Sequence, residues 1–441
     1  MILGFSNILR NSTPFYYVDL PSFQRDFAAL KTLDHGTGPN ITFTRASDAT
    51  YFDANGVLQT ASNNVPRFDH DAATGSSLGL LIEEARTNSI RNAQAGGAVA
   101  GSSGTAPTNW AITGTANGVT REIVAVNTED GLSYIDVKYS GTPTSNGSAN
   151  VVFESNTHVA ASSGQTWTAS AYIRLAGGAL TNATVRKQVS GRLVTSGSVV
   201  AGQEGITIIA PDSAALRTQR RSATFTFTSS DVASVVSFVN VTYTSGQPID
   251  LTLRIAAPQL EQGAFPTSYI PTTTAAATRS ADSAVVTPIS GFYNQSEGTL
   301  FAEFTVNSLA ASGQFPRVVD IGSTGNSFRI ETYASGASLG IGSYVTTASS
   351  NAYGVFGNAS GLGLVTKAAT AIKTDDFRTA VNGSLFGSAD SSGALPSAEN
   401  MTTLGIGRQA VGVSTSANQY IRKLAYWPRR LSNTLLQQLT T

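Results

Sequence analysis

Between residues 91 and 265 the chain breaks into short runs in which apolar and polar residues alternate. Each run is closed by Gly, Ser, Asn or Pro, and none repeats at helical spacing. The runs at 123–126, 134–139, 150–154, 165–174, 223–228, 234–243 and 250–257 are the clearest. Strands so short and so regularly spaced bury their apolar faces by packing as two sheets, which predicts a β-sandwich. In 165–174, Trp167, Ala169, Ala171 and Ile173 share one face, and Thr168, Ser170, Tyr172 and Arg174 share the other. Trp167 is therefore expected in the core, and Tyr172 at a ligand or a neighbouring subunit.

The stretch 256–282, AAPQLEQGAFPTSYIPTTTAAATRSAD, ends this region. Pro258, Pro266 and Pro271 each lack an amide donor and push the preceding residue toward extended geometry, so no helix runs through it. It reads as the exit from one β-domain and the tether to another. From residue 298 strands resume at 299–306, 317–321, 327–333, 362–366, 378–381 and 420–427, with Asn382-Gly383 as a hairpin turn. Ser432 caps a last helix, with Leu431 and Leu436 placed as a hydrophobic staple and Leu435 and Leu439 extending the apolar face that packs on the sandwich.

The first 90 residues read differently. Phe15, Tyr16 and Tyr17 form an aromatic cluster, and after Pro21 the hydroxyl of Ser22 is placed to cap a short helix carrying Phe23, Phe27 and Leu30 on one face. This arm either docks on another protein or folds back on its own first domain. Residues 41–90 read as a small β-module with an Asn55-Gly56 hairpin turn. Arg45, Arg67, Asp69, Glu83 and Arg86 stand out there, and a structural ion-pair network is the expected use of them.

Charged residues make up 13% of the 441, against roughly 25% in ordinary soluble domains, and 28 basic residues balance 28 acidic ones. Such a chain has no net electrostatic pull on nucleic acid or anionic lipid. Its surface polarity comes from Ser, Thr, Asn and Gly, which suits neutral, hydrogen-bonding ligands such as glycans. With no cysteine, disulfides and thiolate sites are excluded. The first residues lack the pattern of a secretory signal, and no apolar run approaches the roughly 20 residues of a membrane span, so a soluble protein without membrane insertion is expected.

No catalytic motif has its context. GSSLG at 75–79 and GASLG at 336–340 match a nucleophile elbow, but both lie in Gly/Ser-rich β connections. The glycines around 405–407 lack a βαβ unit. His35, His70 and His158 are scattered, so no zinc site is expected. Glu303 and Glu331 fall on separate strands, without the paired spacing of a glycosidase. Asp375-Asp376 reads as a solvated turn before a calcium loop, and Arg217, Arg220 and Arg221 as a protective edge. The expectation is no catalytic residue, no metal, no cofactor and no enzymatic activity.

Two long strings carry a resemblance. One comprises ITFTRAS at 41–47, Asn55-Gly56-Val57, Pro66-Arg67-Phe68-Asp69 and GLLIEEARTN at 79–88; the other comprises PQLEQG at 258–263, PTSYIPT at 266–272 and TRSAD at 278–282. Together they resemble signatures of bacteriophage and prophage tail proteins. The resemblance implies an all-β chain of tandem β-sandwich (jelly-roll) domains with a short N-terminal arm and a short C-terminal helix. The expected divisions are an attachment arm (1–40), a small β-module (41–90), a jelly-roll carbohydrate-binding-like domain (91–270), a linker (271–297) and a concanavalin-like sandwich (298–441). It implies a tail fibre or spike of the virion, assembled in the host bacterial cytoplasm as a homo-oligomer, by analogy a trimer, and binding a host-surface glycan. A head fibre or capsid decoration protein and a polysaccharide depolymerase are the alternatives. Tyr172 and Arg174 on one strand face, and Arg329, Glu331 and Tyr333 on another, are the candidate glycan contacts. Phe15, Tyr16, Tyr17, Phe23 and Phe27 are the candidates for attachment to other virion proteins.

Overall fold

Along Ser234–Tyr243 the residues Val235, Val239, Val241 and Tyr243 are buried between two sheets, as the alternation requires. The computed structural model describes residues 20–441 apart from 103, 115–116, 194–195, 309–313, 336–337, 398–400 and 412–417. Within them the protein is nearly all β and forms two sandwiches with a short C-terminal helix.

The first sandwich pairs sheet I with sheet II. Sheet I runs Arg220–Thr226, Thr166–Ala179, Ile249–Gln262, Leu132–Gly141, Val119–Glu129. Sheet II runs Val199–Ile209, Ala183–Arg192, Ser234–Tyr243, Gly147–Val152, Ala111–Gly114. Trp167, Ile173, Leu253, Ile255, Val151 and Val239 lie in the core between them.

The second sandwich is discontinuous in sequence. Sheet III runs Ser384–Asp390, Asp376–Val381, Val365–Lys373, Glu297–Val306, Gln419–Trp427, Ser77–Ile82, Phe68–His70, and Phe23–Asp26 also pairs with Gln419–Trp427. Sheet IV runs Thr42–Thr44, Ser283–Val286, Thr403–Ile406, Arg317–Ser323, Asn326–Ser335, Ser338–Thr347, Ser350–Ser360. The first sandwich is thus inserted into the second.

This arrangement changes three expectations. Residues 41–90 do not make a module of their own, because Thr42–Thr44, Phe68–His70 and Ser77–Ile82 complete the two sheets of the second sandwich. The expected linker contributes Ser283–Val286 to sheet IV and Ala277–Arg279 to a two-stranded ribbon with Arg86–Asn88. The expected helix after Ser22 is mostly strand: Phe23 stands opposite Tyr426, and only Phe27–Leu30 makes a helical turn, capped by Asp26 rather than Ser22. Phe23 stacks on Phe292 at 5.1 Å and is 1% exposed, and Phe27 is fully buried. Both are core residues, so neither is free to attach to a partner. Phe15, Tyr16 and Tyr17 lie outside the described residues.

Local chemistry held where it was self-contained. Gly56 and Gly383 sit at φ +74° and +82° in their hairpin turns, conformations that glycine adopts without strain. Ser432 Oγ accepts from Leu435 N, and helix Asn433–Thr440 packs Leu436 with Leu431, Trp427 and Phe301 against sheet III. Among the described residues no helix is long and apolar enough to cross a membrane.

The two sandwiches meet at a buried ion cluster drawn from both signature strings. Asp282 binds Arg45 at 3.2 Å and Arg67 at 2.6 Å; Glu83 binds Arg67 at 2.8 Å and Arg279 at 3.1 Å. Ser268 Oγ and N also donate to Glu83, and Glu83 N donates to Asp282. Charges taken out of water are tolerable only when paired and hydrogen-bonded in this way. Of the five residues expected in an ion network, Arg45, Arg67 and Glu83 are in it; Arg86 pairs with Glu84 outside the cluster, and Asp69 accepts hydrogen bonds from Phe52 N and the Tyr420 hydroxyl.

Candidate functional site

The outer face of sheet II is set by the same alternation that builds its core. Since Val185, Lys187 and Val189 point inward, Arg186, Gln188, Ser190 and Arg192 point outward. Register then lines up rows across the strands. One row runs Ile208, Arg186, Asn240, Asn150, Thr113; the next runs Ile206, Gln188, Phe238, Val152, Ala111. Apart from Ile208, these residues line an open groove of about 590 Å3 together with Glu154, Arg192, Val199 and Glu204.

Its polar groups are unevenly satisfied. Asn240 Nδ2 donates to Asn150 Oδ1 at 2.8 Å, which leaves the other amide atoms facing the groove. Glu154 is held by Arg91 through Nε at 2.9 Å and Nη2 at 2.6 Å. Burial pushes the Glu154 carboxyl up, but these bonds outweigh it and hold it below the ordinary range. Ser190 Oγ donates to Glu204 at 3.0 Å. The Arg192 guanidinium lies 5.5 Å from the centre of the Phe238 ring, and burial lowers its pKa against the opposing pull of Glu204. Nε of Arg186 and Nε of Arg192 are buried with no hydrogen-bond partner. Arg67, Arg174 and Arg317 also have an unpartnered Nε, but their other nitrogens are bonded. Among the described residues, the side chains of Arg186 and Arg192 form neither a hydrogen bond nor an ion pair.

Beneath this face lies a buried amine. Lys187 Nζ is fully enclosed, donates to Ser237 Oγ at 2.7 Å, and sits 5.3 Å from the Phe153 ring. Burial pulls its pKa down to about 7. Lysine at an inward position breaks the apolar pattern of 183–192, and for that reason sequence reasoning passed over this strand and with it Arg186 and Gln188. Asn150 and Asn240 lay on strands it did recognise; their outward positions opposite each other were the missing signal.

Tyr172 and Arg174 are not part of this groove. They lie on sheet I, whose outer face is covered by the hairpin of Ala49–Phe52 and Leu58–Ala61. Phe52 meets the Tyr172 ring edge-on at 6.4 Å, Arg220 lies over it, and Tyr172 is 3% exposed. The expectation of Tyr172 as a ligand contact is corrected: an outward position on a strand became an interface between sandwiches. Arg174 is bonded to Glu129, which Arg254 and Leu216 N also engage.

Arg329, Glu331 and Tyr333 do share one outer face of sheet IV, as their spacing implied. Arg317 and Arg329 both bind Glu331, while Arg329 also donates to Thr346 Oγ1 and lies over Tyr344. The Tyr333 ring lies flat over Gly340, where a Cβ would come within 2.2 Å of it. It stands between Phe315 at 6.2 Å and Phe356 at 6.4 Å, which are 45% and 70% exposed. The result is an exposed aromatic strip whose charged neighbours bind one another.

A larger depression of about 670 Å3 lies at the seam between the sandwiches, lined by Arg86, Gln165, Trp167, Gln262 and Thr278 among others. Its polar groups are spoken for: Arg86 bonds Glu84 and the Gln262 carbonyl, and Trp167 Nε1 donates to Gln165. Among the described residues no group of three or more His, Asp or Glu is placed to hold a metal ion.

No family model and no curated protein matches the chain. Solved structures do. The CBM40 of a Ruminococcus gnavus IT-sialidase bound to α2,3-sialyllactose is 14% identical over 33% of this chain and 83% of its own, with a TM-score of 0.29. The CBM22 tandem of Paenibacillus barcinonensis Xyn10C is 10% identical over 75% and 96%, with a TM-score of 0.24. A Trypanosoma rangeli sialidase is 11% identical over 91% and 77%, with a TM-score of 0.29. The expectation of no enzymatic activity is contradicted by sialidases among these matches and is withdrawn. Similarities this distant carry no argument for a particular activity or ligand of this chain.

Proposed function

We propose that this protein binds a host-surface carbohydrate in the groove of sheet II, as a virion component of a tailed phage. The observation that carries the binding site is the row Arg186, Asn240, Asn150 and Thr113, hydrogen-bonding side chains on an open sheet face with Arg186 left without a partner. A saccharide suits such a face, since its hydroxyls both donate and accept while its ring C–H groups pack on Phe238, Val152 and the exposed Ile206. The virion setting, as tail fibre or spike and as a homo-oligomer of three chains, is supported by the sequence resemblance; light scattering of the purified chain tests the oligomer.

The test is to incubate the purified protein with host surface polysaccharide and follow both binding and chain length. Asn240→Ala is expected to weaken binding at least tenfold with the fold retained, while Tyr333→Ala leaves it unchanged. The exposed Phe315, Tyr333 and Phe356 favour a second reading, the aromatic strip of sheet IV as the platform, and the reverse pattern would select it. Shortening of the polysaccharide would make the protein a depolymerase.

A further inference from the structure

The charge balance and the rim of the sheet II groove say more about the ligand than that it is a sugar. Of the charged residues lining it, Glu154 is neutralised by Arg91, which leaves Arg186 and Arg192 against Glu204. Neither arginine is ion-paired among the described residues, whereas Arg45, Arg67 and Arg279 at the junction of the sandwiches all are. Each also has an exposed aliphatic neighbour on the edge strand Val199–Ile209. Arg186 stands opposite Ile208, which is 69% exposed, and Arg192 opposite Val199, which is 40% exposed. An unpartnered guanidinium N–H sheltered from water is costly, and a charged acceptor relieves that cost better than a hydroxyl does. Guanidinium is also the side chain best shaped for the two oxygens of a carboxylate.

Resting on the carbohydrate reading above, we infer that the groove selects an acidic saccharide, a sugar bearing a carboxylate. Its carboxylate meets the guanidinium of Arg186 or Arg192, its hydroxyls meet Asn150, Gln188 and Asn240, and its ring packs on the aliphatic rim. Burial lowers the pKa of Arg192, and an anion in the groove opposes that effect.

The experiment is calorimetric titration of the full chain with hexasaccharides of galacturonate and of glucuronate, each beside its carboxyl-reduced, neutral counterpart. The acid form of at least one is expected to bind at least tenfold more tightly than its neutral counterpart, with the preference shrinking as salt is raised. Arg186→Gln and Arg192→Gln, checked for folding by circular dichroism, are each expected to reduce that preference. Equal affinity for acid and neutral forms, with binding still lost in Asn240→Ala, would overturn the acidic preference and leave the groove as a neutral glycan site. Binding that ignores Arg186→Gln, Arg192→Gln and Asn240→Ala would remove the groove, and with it the carbohydrate reading on which this rests. No binding of either acid form would overturn the inference, as would a polyglutamate peptide bound as tightly as the uronates.

Discussion

Two places in this molecule gather arginines, and they are built on opposite terms. At the junction of the sandwiches Arg45, Arg67 and Arg279 are 0–1% exposed and every one is paired, to Asp282, Glu83 or both. In the sheet II groove Arg186 and Arg192 are only partly exposed and neither is paired. Fully paired buried charge fixes the geometry of the chain around it, because each ion is tolerable only while its partners stay in place. Unpaired charge on an open face has no structural duty and is left for something else to meet. Satisfaction of polar groups, more than residue type, separates the part of this chain that holds it together from the part proposed to meet a ligand.

The sharpest way to break the contrast is at Glu83. Glu83→Ala strands Arg67 and Arg279 without their shared carboxylate and is expected to cost about 3–5 kcal/mol, read as a large drop in the denaturation midpoint. An unchanged midpoint would mean the cluster does not join the sandwiches.

Acid reaches the same group without mutation. Burial pushes the Glu83 carboxyl up, but Arg279 and Arg67 outweigh it and hold the folded-state pKa at about 2, below its ordinary 4.5. A depressed carboxylate contributes stability that is complete above pH 4.5 and is lost as pH falls toward 2, on the order of 3 kcal/mol. Denaturation followed from pH 6 to pH 2 is expected to show this slope, and Glu83→Gln to flatten it.

Lys187 sharpens the comparison, being a buried amine whose hydrogen bonds go to Ser237 Oγ and the Gln188 carbonyl rather than to a carboxylate. Its folded-state pKa of about 7 lies below the ordinary 10.5, so between those values the unfolded chain holds a proton that the folded chain does not. Stability from this group therefore rises with pH across that window, and the full penalty applies below pH 7. Lys187→Met is expected to stabilise by roughly 2 kcal/mol at pH 6, with the gain fading toward pH 10. A gain that grows with pH would refute this.

The smallest effect belongs to the groove itself. Arg186→Gln removes no bond or ion pair, so stability is expected to change by less than about 0.5 kcal/mol. A loss as large as that of Glu83→Ala would make Arg186 structural.

Much of this was legible in the residues. The alternation at 165–174 put Trp167 in the core, Asn382-Gly383 turned its hairpin, and Ser432 capped its helix. Arg45, Arg67, Glu83 and Arg86 in the upstream string read as ion pairs before their partners were known, whereas Asp69, read with them, accepts hydrogen bonds from Phe52 N and the Tyr420 hydroxyl instead. What failed were statements about which outward positions stay open. Tyr172 occupies a polar strand face, yet Phe52, from a hairpin far upstream in the chain, lies edge-on over it. Strand 183–192 hid its outward polar row because an inward Lys187 spoiled the pattern.

Periodicity, turn chemistry and capping depend on a few neighbouring residues, so the chain by itself settled that this protein is made of short strands stacked as sandwiches. Everything concerning the second sandwich's membership needed contacts across the whole length, such as Ser22 Oγ donating to the Tyr426 carbonyl 404 residues away. Exposure is of that same kind. A strand presents a face by its own alternation, but whether water, a hairpin or a ligand covers it depends on which distant segment packs there, and that is set by the summed burial of the assembled sheets.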